Sequence, residues 1–138
     1  MKLEQAKQIA IEYVELNKSK YSKVEVVGSI RRNKSECKDI DIVAIPIIKT
    51  DKKILKEDFK GMKVEIYLTN ETDYEVIKLI RTGSAEHNKK LCILAKQKGM
   101  SLKAGGEGLV NNDGVIDKTE KGILTVLLGK YIEPEERN

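Results

Sequence analysis

Hydrophobic residues recur with two different periods in the first seventy positions. From Leu3 to Leu16 they recur at helical spacing between lysines and glutamates, which predicts an opening helix. Three segments then have strand character, namely KVEVVGSI, DIDIVAIPII and KVEIYL. Pro46 either ends the second strand or places it at a sheet edge. This part of the chain therefore predicts one helix and a sheet.

The pattern changes after Asn70, where helices dominate. Two helices are predicted, over Asp73–Arg81 and from about Glu86 to Lys98, with a Thr-Gly-Ser turn between them. Asn112-Asp113-Gly114 lies between apolar pairs and predicts a hairpin, and a last helix is predicted over Thr119–Leu128. The expected fold class is α+β, a mixed sheet with helices on one face followed by a small helix-plus-hairpin unit. The boundary falls between residues 70 and 71.

Composition limits the classes of protein to consider. The chain has 138 residues, which predicts one domain or one domain with a small appendage. Its net charge of +4 is a mild bias toward polyanionic partners. Cys37 and Cys92 match no metal or redox spacing, and no segment approaches the ~20 apolar residues of a membrane span. We expect a reduced, cytosolic protein that makes no membrane contact.

An Asp-x-Asp motif interrupts the second strand. Asp39 and Asp41 project from one face because side chains alternate along a strand, while Ile40 and Ile42 point to the other. Adjacent carboxylates repel each other, and a divalent cation is the natural compensation. The other interpretation of an Asp-x-Asp in a lysine-rich protein is a solvated edge strand.

A third carboxylate is predicted beside this pair. Glu65 lies on one face of KVEIYL together with Lys63 and Tyr67, and pairing of the two strands would bring it toward the aspartates. Three carboxylates around one or two metals are what phosphoryl and nucleotidyl transfer require. Taken alone, Glu65 is also consistent with an ordinary exposed strand residue.

Three motifs together resemble the X family of DNA polymerases. They are Gly28-Ser29, Arg31-Arg32 and Asp39-Ile40-Asp41 in order, then RTGSAEHNKKLCILAKQKGMSL, then TEKGILTVLLGKYIEPEERN. The first alone would indicate only the wider nucleotidyltransferase superfamily, and the second is more specific. The resemblance implies a minimal polymerase like the compact viral members, with a palm over residues 1–70 and a thumb over 71–138.

The resemblance also implies roles for the palm residues. Asp39, Asp41 and Glu65 would be catalytic and bind Mg²⁺ or Mn²⁺, with Glu65 in the position of the carboxylate that helps deprotonate the primer 3′-hydroxyl. The nucleotide phosphates would be bound at the Gly-Ser turn and the arginine pair. Those residues are Gly28, Ser29, Arg31 and Arg32, with Arg31 as a second phosphate contact or a structural one.

For the thumb, the resemblance implies contacts to the nucleotide and to DNA. Thr82, Gly83 and Ser84 would pack against the sugar, and Asn88 would reach the minor-groove edge of the incoming base. Lys89 would lie near the templating base. Apart from the resemblance, Lys89, Lys90, Lys96, Lys98 and Lys103 would form a footprint for the phosphate backbone of duplex DNA, for which the alternative is a solvated helix face.

Several residues depart from the family pattern, and one residue stands outside it. Glu65 occupies the position of a family Asp, and Ile80-Arg81 occupies the position of two aromatics that contact the sugar. Ala85 and Cys92 stand where polar or basic residues are common on that helix. His87 is expected to be a solvated first-turn residue.

The expected function is a DNA polymerase that acts in gap filling or repair. Its partners would be gapped or primed DNA and a dNTP, and it would act as a monomer in the cytoplasm, or in the host cytoplasm or virion if viral. The alternatives are a nucleotidyltransferase with a non-DNA acceptor and a catalytically weakened nucleic-acid-binding module.

Overall fold

The computed structural model describes all residues from 1 to 138 and contains two β-sheets with five α-helices. The helices are α1 (Leu3–Asn17), α2 (Gly28–Arg31), α3 (Tyr74–Thr82), α4 (Ala85–Gln97) and α5 (Glu120–Leu128). The strands are β1 (Tyr21–Val27), β2 (Asp39–Pro46), β3 (Ile54–Phe59), β4 (Met62–Leu68), β5 (Ser101–Lys103), β6 (Gly108–Asn111) and β7 (Gly114–Asp117). Short 3-10 turns cover Lys18–Lys20 and Pro134–Glu136.

The first sheet is mixed and has the strand order β1-β2-β4-β3. β2 pairs antiparallel with β1 and parallel with β4, so it is an interior strand that Pro46 ends. The solvated edge-strand interpretation of the Asp-x-Asp motif is therefore wrong, because both sides of β2 are hydrogen-bonded to neighbours. Strand β3, which the sequence pattern did not predict, forms an edge against β4.

Alternation along β2 builds a core on each face of the sheet. Ile40 and Ile42 pack with Ala6 and Ala10 of α1 in one buried cluster. Val43 and Ile45 point the other way and pack with Val27, Tyr74, Tyr67 and Ile77. The expected α+β class is confirmed, with the refinement that α3 covers the face opposite α1. Helices thus lie on both faces.

The second sheet has the order β5-β6-β7 and belongs to the C-terminal half. The predicted hairpin is confirmed, since β6 and β7 pair antiparallel with Asn111 opposite Gly114. A separate buried cluster joins this sheet to α3, α4 and α5, and it includes Leu79, Leu91, Leu109 and Ile123. None of the helices combines the length and the apolar character that a membrane crossing requires.

A buried ion network joins α2 of the first half to α5 and the C-terminal segment. The two terminal guanidinium nitrogens of Arg31 donate to the Glu120 carboxylate, at 2.7 and 2.9 Å. Arg137 is fully buried and donates to the same carboxylate at 2.9 Å and to the carbonyl of Ile132. Burial acts to raise the pKa of Glu120, but the hydrogen bonds from Arg31 and Arg137 outweigh it and lower the pKa overall.

Candidate active site

The parallel pairing of β2 with β4 brings the predicted carboxylates together. Asp41 lies directly opposite Glu65, and Asp39 lies opposite Lys63. Residues paired in this way point to the same face of a sheet. Asp39 is exposed, whereas Asp41 and Glu65 are half-buried. The acidic face predicted from the sequence is therefore present, at the end of the sheet where β2 begins.

Asp41 carries the strongest electrostatic perturbation among these carboxylates. Burial raises its pKa to about 6, and the charges of Glu65 and then Asp39 add to the increase. Arg81 and Arg32 act in the opposite direction without offsetting it. A cation bound beside Asp41 would favour its ionised form further, and clefts with such perturbed groups are candidates for function.

The donor set suits a hard divalent cation in part. Mg²⁺ is usually held by one or two carboxylates together with substrate phosphates, and Asp39 with Asp41 supply such a pair. No group of three or more His, Cys, Asp or Glu side chains is arranged to hold a metal ion together. Glu65 instead accepts a hydrogen bond from the Tyr67 hydroxyl at 2.7 Å. The aspartate pair therefore fits a metal, and the third carboxylate has a protein partner of its own.

The turn between β1 and α2 makes room for Asp41. Gly28 has φ +63° and is buried, and a Cβ there would overlap Asp41 Oδ2 and stand 3.0 Å from Asp41 Cβ. Glycine adopts this conformation without the steric cost that other residues incur. The Gly28 backbone therefore forms one wall of the carboxylate site.

A polar cleft of about 280 Å³ connects this wall to the aspartates. Its lining is Ser29, Arg32, Glu36, Lys38, Asp39 and Asp41. Two larger clefts, of about 470 and 520 Å³, lie around Pro46 at the other end of β2 and contain none of the predicted site residues. The small cleft is the candidate site because it combines carboxylates with a guanidinium and a hydroxyl, the groups that a metal-bound phosphate needs.

The two arginines predicted at the phosphates have different positions. Arg32 lines the cleft, and its guanidinium donates to the Thr82 carbonyl at 2.6 Å and to Asn138 Oδ1 at 3.3 Å. Arg31 points away into the ion pair with Glu120 and also donates to the Thr82 hydroxyl. Of the two roles expected for Arg31, the structure shows the structural contact.

The Thr82-Gly83-Ser84 turn follows α3 and lies against Arg32. A Cβ on Gly83 would stand 2.9 Å from a guanidinium nitrogen of Arg32, and Gly83 has φ +73°. Ser84 caps α4 by accepting a hydrogen bond from the His87 amide, and its own amide donates to the Arg137 carbonyl. Thr82 is buried and donates to the Lys78 carbonyl. Arg32 therefore contacts this turn at two residues, through the Thr82 carbonyl and against Gly83, whereas the Ser84 side chain caps α4.

The first turns of α4 differ from the sequence expectation. Asn88 is half-buried and donates to the Ile80 carbonyl at 2.9 Å, so its amide is directed toward α3 in this structure. The expectation for His87 is wrong, because its side chain is buried and neither ring nitrogen has a partner. Burial, reinforced by Arg137, Lys90 and Arg32, lowers its pKa to about 4.

The predicted DNA-binding lysines are all on the surface. Lys89, Lys90 and Lys103 are exposed, and of the three only Lys89 has an acidic partner, Glu86 at 3.7 Å. Exposed ammonium groups of this kind remain available to a polyanion.

Four residues near the site were not assigned to it from the sequence. Glu36 and Lys38 line the cleft because the loop after α2 folds back beside β2. Tyr67 contacts Glu65, and Arg81 stacks on the Tyr67 ring with the guanidinium carbon 4.1 Å from the ring centroid. Strand alternation already places Tyr67 on the face of Glu65, so its position was predictable. The contact of Arg81 depends on how α3 packs on the sheet.

Comparison with known proteins identifies the thumb and the fold. Residues 78–138 match the family model described as DNA polymerase beta thumb. Among solved structures, the chain is similar to polymerase beta of Leishmania infantum in a ternary P/T complex, with a TM-score of 0.74 and 14% identity. The match covers 100% of this chain and 76% of that one. No curated protein matches the chain.

The whole chain has a polymerase beta-like fold, and its C-terminal part matches the thumb of that family. The match of the thumb sequence and the match of the whole fold together confirm the resemblance to the DNA polymerase X family.

Proposed function

We propose that the chain is a minimal X-family DNA polymerase that adds nucleotides to a primer 3′-hydroxyl during gap filling. The observation that carries this proposal is the single polar cleft in which Asp39 and Asp41 lie with Ser29 and Arg32, at the end of the strand pair that sets Glu65 opposite Asp41. Carboxylates for metal beside donors for phosphate are what nucleotidyl transfer needs. The thumb match supports a DNA substrate.

The proposal divides the chain into a palm over residues 1–70 and a thumb over residues 71–138. Two separate buried clusters support this division, one built on α1 and the first sheet and the other on α4, α5 and the second sheet. The third cluster, which includes Val43 and Tyr74, lies where the two units meet. The site cleft belongs to the palm.

Asp39 and Asp41 would hold Mg²⁺ or Mn²⁺, and Glu65 would complete the metal site beside Asp41 through the carboxylate oxygen that is not bonded to Tyr67. When bound, the cation would polarise the phosphate oxygens and favour the ionised form of the attacking hydroxyl. Glu65 would accept the proton from the primer hydroxyl, for which it has a carboxylate oxygen not bonded to Tyr67. The absence of a side chain at Gly28 would leave space for the Asp41 carboxylate at the metal site.

Ser29 and Arg32 would bind the nucleotide phosphates, and the thumb would bind the rest of the substrate. Arg32 is held toward the cleft by the Thr82 carbonyl, which fixes the orientation of its guanidinium. Gly83 would face the sugar, with Thr82 and Ser84 fixing its position. Asn88 would have to leave the Ile80 carbonyl to reach the incoming base.

The DNA backbone would lie along the exposed lysines of the thumb, namely Lys89, Lys90 and Lys103. The similar Leishmania protein was solved as a ternary P/T complex, which supports primed DNA as the partner. We propose that a monomer binds this substrate.

One observation favours a second candidate, a nucleic-acid-binding module with weakened catalysis. Glu65 is longer than Asp by one methylene, and it is not joined with the two aspartates in a three-carboxylate metal group. Displacement of a catalytic group by about 1 Å can cost on the order of 100-fold in rate.

The experiment that separates the two candidates measures DNA binding and incorporation on the same samples. The substrate is a duplex with a one-nucleotide gap, supplied with Mg²⁺ or Mn²⁺ and each dNTP or rNTP separately. The polymerase proposal predicts incorporation that depends on the metal and is lost in Asp41→Ala, while that variant still binds the gapped duplex. Binding without incorporation under either metal would favour the binding module.

A further inference from the structure

Glu65 is held by a neighbour on its own strand. Glu65 and Tyr67 are two residues apart on β4 and therefore share a face, and the Tyr67 hydroxyl donates to Glu65 Oε2 at 2.7 Å. Register sets Glu65 opposite Asp41 and Tyr67 opposite Val43. The phenol thus approaches the carboxylate from the buried side of the site and leaves Oε1 unbonded.

The Tyr67 ring is itself fixed from two directions. It packs against the buried cluster of Val27, Val43, Ile45 and Tyr74. The guanidinium carbon of Arg81 also lies over the ring, 4.1 Å from its centroid. A cation over an aromatic ring attracts it electrostatically, and a planar guanidinium also stacks on it. Because Arg81 lies in the last turn of α3, the ring is held between the sheet and this helix.

Resting on the function proposed above, we propose that Tyr67 is a positioning residue that holds the Glu65 carboxylate beside Asp41, with Arg81 holding Tyr67 in place. Glutamate has one more rotatable bond than aspartate, so its carboxylate samples more positions unless a partner restrains it. The phenol hydrogen bond supplies that restraint.

The proposal explains how a longer side chain can serve at this position. A freely rotating Glu65 would spend only part of its time next to Asp41, whereas the bonded one has a single preferred orientation. Partners that orient a ligand or catalytic carboxylate typically contribute 10- to 100-fold to metal affinity or activity. An aspartate at residue 65 is shorter by one methylene and would not reach the Tyr67 hydroxyl, so its placement would not depend on the phenol.

The test is a double-mutant cycle between Tyr67→Phe and Glu65→Asp, read by two measurements. The first is Mn²⁺ binding to the protein alone, followed by the loss of the free-ion electron paramagnetic resonance signal. The second is kcat and KM for single-nucleotide gap filling. Tyr67→Phe keeps the ring and its stack on Arg81, so the fold is preserved. Tyr74→Phe is the matched control, because Tyr74 makes an equal phenol–carboxylate bond of 2.7 Å to Glu25.

We expect Tyr67→Phe to weaken Mn²⁺ binding and to lower kcat, each by about 10-fold, with little change in KM. The same substitution in the Glu65→Asp background should change either quantity by less than about 2-fold, and Tyr74→Phe should resemble the unmodified protein. Full additivity of the two substitutions would overturn the proposal. So would a Tyr67→Phe variant that binds Mn²⁺ as tightly as Tyr74→Phe does.

The two readouts separate this proposal from the proposed function. Metal binding needs no polymerase activity, so a protein that incorporates no nucleotide still reports on Tyr67 through Mn²⁺. Absent incorporation with a coupled metal-binding cycle would contradict the polymerase and support Tyr67 as a positioning residue. Incorporation with an uncoupled cycle would support the polymerase and overturn the role of Tyr67.

Discussion

Gly28 and Asp41 are in contact across the turn that follows β1. A Cβ on Gly28 would overlap the Asp41 carboxylate, and the positive φ of Gly28 adds strain for any other residue. The backbone at residue 28 and the carboxylate at residue 41 therefore form one unit. The Gly-Ser turn and the Asp-x-Asp motif are therefore coupled, because a side chain added at residue 28 would displace the Asp41 carboxylate.

Gly28→Ala should therefore cost more stability than a glycine substitution with the same backbone strain. Gly61→Ala is the matched control, because Gly61 has φ +82° and nothing within 4 Å of an added Cβ. We expect a loss of about 1 kcal/mol for Gly61→Ala from strain. For Gly28→Ala we expect about 2 to 4 kcal/mol, because overlap with Asp41 is added. Urea unfolding measures both, and equal losses would contradict the contact.

Asp41→Asn should stabilise the protein in metal-free buffer at pH 7.5. Burial and neighbouring carboxylates raise the pKa of Asp41 to about 6, so the cost of ionising it in the folded protein is fully present above that pH. Removing the charge should raise the free energy of unfolding by about 1 to 3 kcal/mol. Asp51→Asn, in an exposed loop, is the control and should change little.

The stability of Asp41→Asn and of the unmodified protein can also be compared with Mg²⁺ added. Mg²⁺ should raise the melting temperature of the unmodified protein by binding the folded state, and it should have much less effect on Asp41→Asn. A metal-free Asp41→Asn protein that unfolds more easily than the original would contradict the repulsion inferred for this site.

Glu120→Gln should be strongly destabilising. The substitution leaves the guanidinium groups of Arg31 and Arg137 without a counter-charge, and Arg137 is fully buried. Loss of one partner from a buried ion pair costs about 3 to 5 kcal/mol. Glu86→Gln, from the exposed pair with Lys89, should cost less than about 0.5 kcal/mol. Similar losses for the two variants in urea unfolding would argue against a structural role for Arg31.

His87 should make the protein less stable in mild acid. Burial lowers its pKa to about 4 in the folded protein, from an ordinary value near 6.5 in the unfolded chain. The unfolded chain therefore takes up a proton that the folded protein does not, and stability present above pH 6.5 is lost as the pH falls toward 4. Between pH 7.5 and pH 5 this linkage amounts to about 2 kcal/mol.

His87→Leu removes that linkage. The test therefore compares the free energy of unfolding of the variant with that of the unmodified protein, at pH 7.5 and at pH 5. Other groups titrate equally in both and cancel in the difference. We expect the variant to gain stability relative to the original when the pH is lowered from 7.5 to 5. An unchanged difference would show that His87 is solvated, as the sequence pattern had suggested.

The exposed lysines of the second half should contribute to DNA affinity without sequence preference. Lys90→Ala and Lys103→Ala should each reduce the slope of log affinity against log salt by about 1, because each phosphate contact releases condensed counterions. Lys52→Ala, at the other end of β2, should leave the slope unchanged. Fluorescence anisotropy with a gapped duplex at several salt concentrations measures the three slopes. If the slopes for Lys90→Ala and Lys103→Ala equal the slope for Lys52→Ala, the two thumb lysines do not contact the DNA backbone.

The carboxylates were predictable from sequence because they depend on local periodicity. Alternation along β2 and β4 set the facing directions of Asp41 and Glu65, and only the pairing of the strands had to be supplied by the fold. Strand β3 was not predictable in the same way. It pairs on one side only and its segment is mostly polar, so it lacks the apolar alternation that marks a buried strand.

The roles that depend on distant partners could not be predicted. Arg31 and Glu120 are 89 residues apart in sequence, and no residue near Arg31 indicates that its partner is a carboxylate of α5. The burial of His87 and the bond from Asn88 to Ile80 depend on how α4 packs against α3. In each case the residue type fits several roles, and packing between elements selects one of them.

The most direct measurement of the central claim is single-nucleotide incorporation opposite each of the four template bases in a gapped duplex. The assay compares the unmodified protein with Asp41→Asn, both shown to be folded by circular dichroism. A polymerase should show metal-dependent extension by the complementary dNTP that falls by at least about 100-fold in Asp41→Asn. Extension that Asp41→Asn retains, or its absence from the unmodified protein while gapped DNA is bound, would contradict a polymerase site built on this carboxylate.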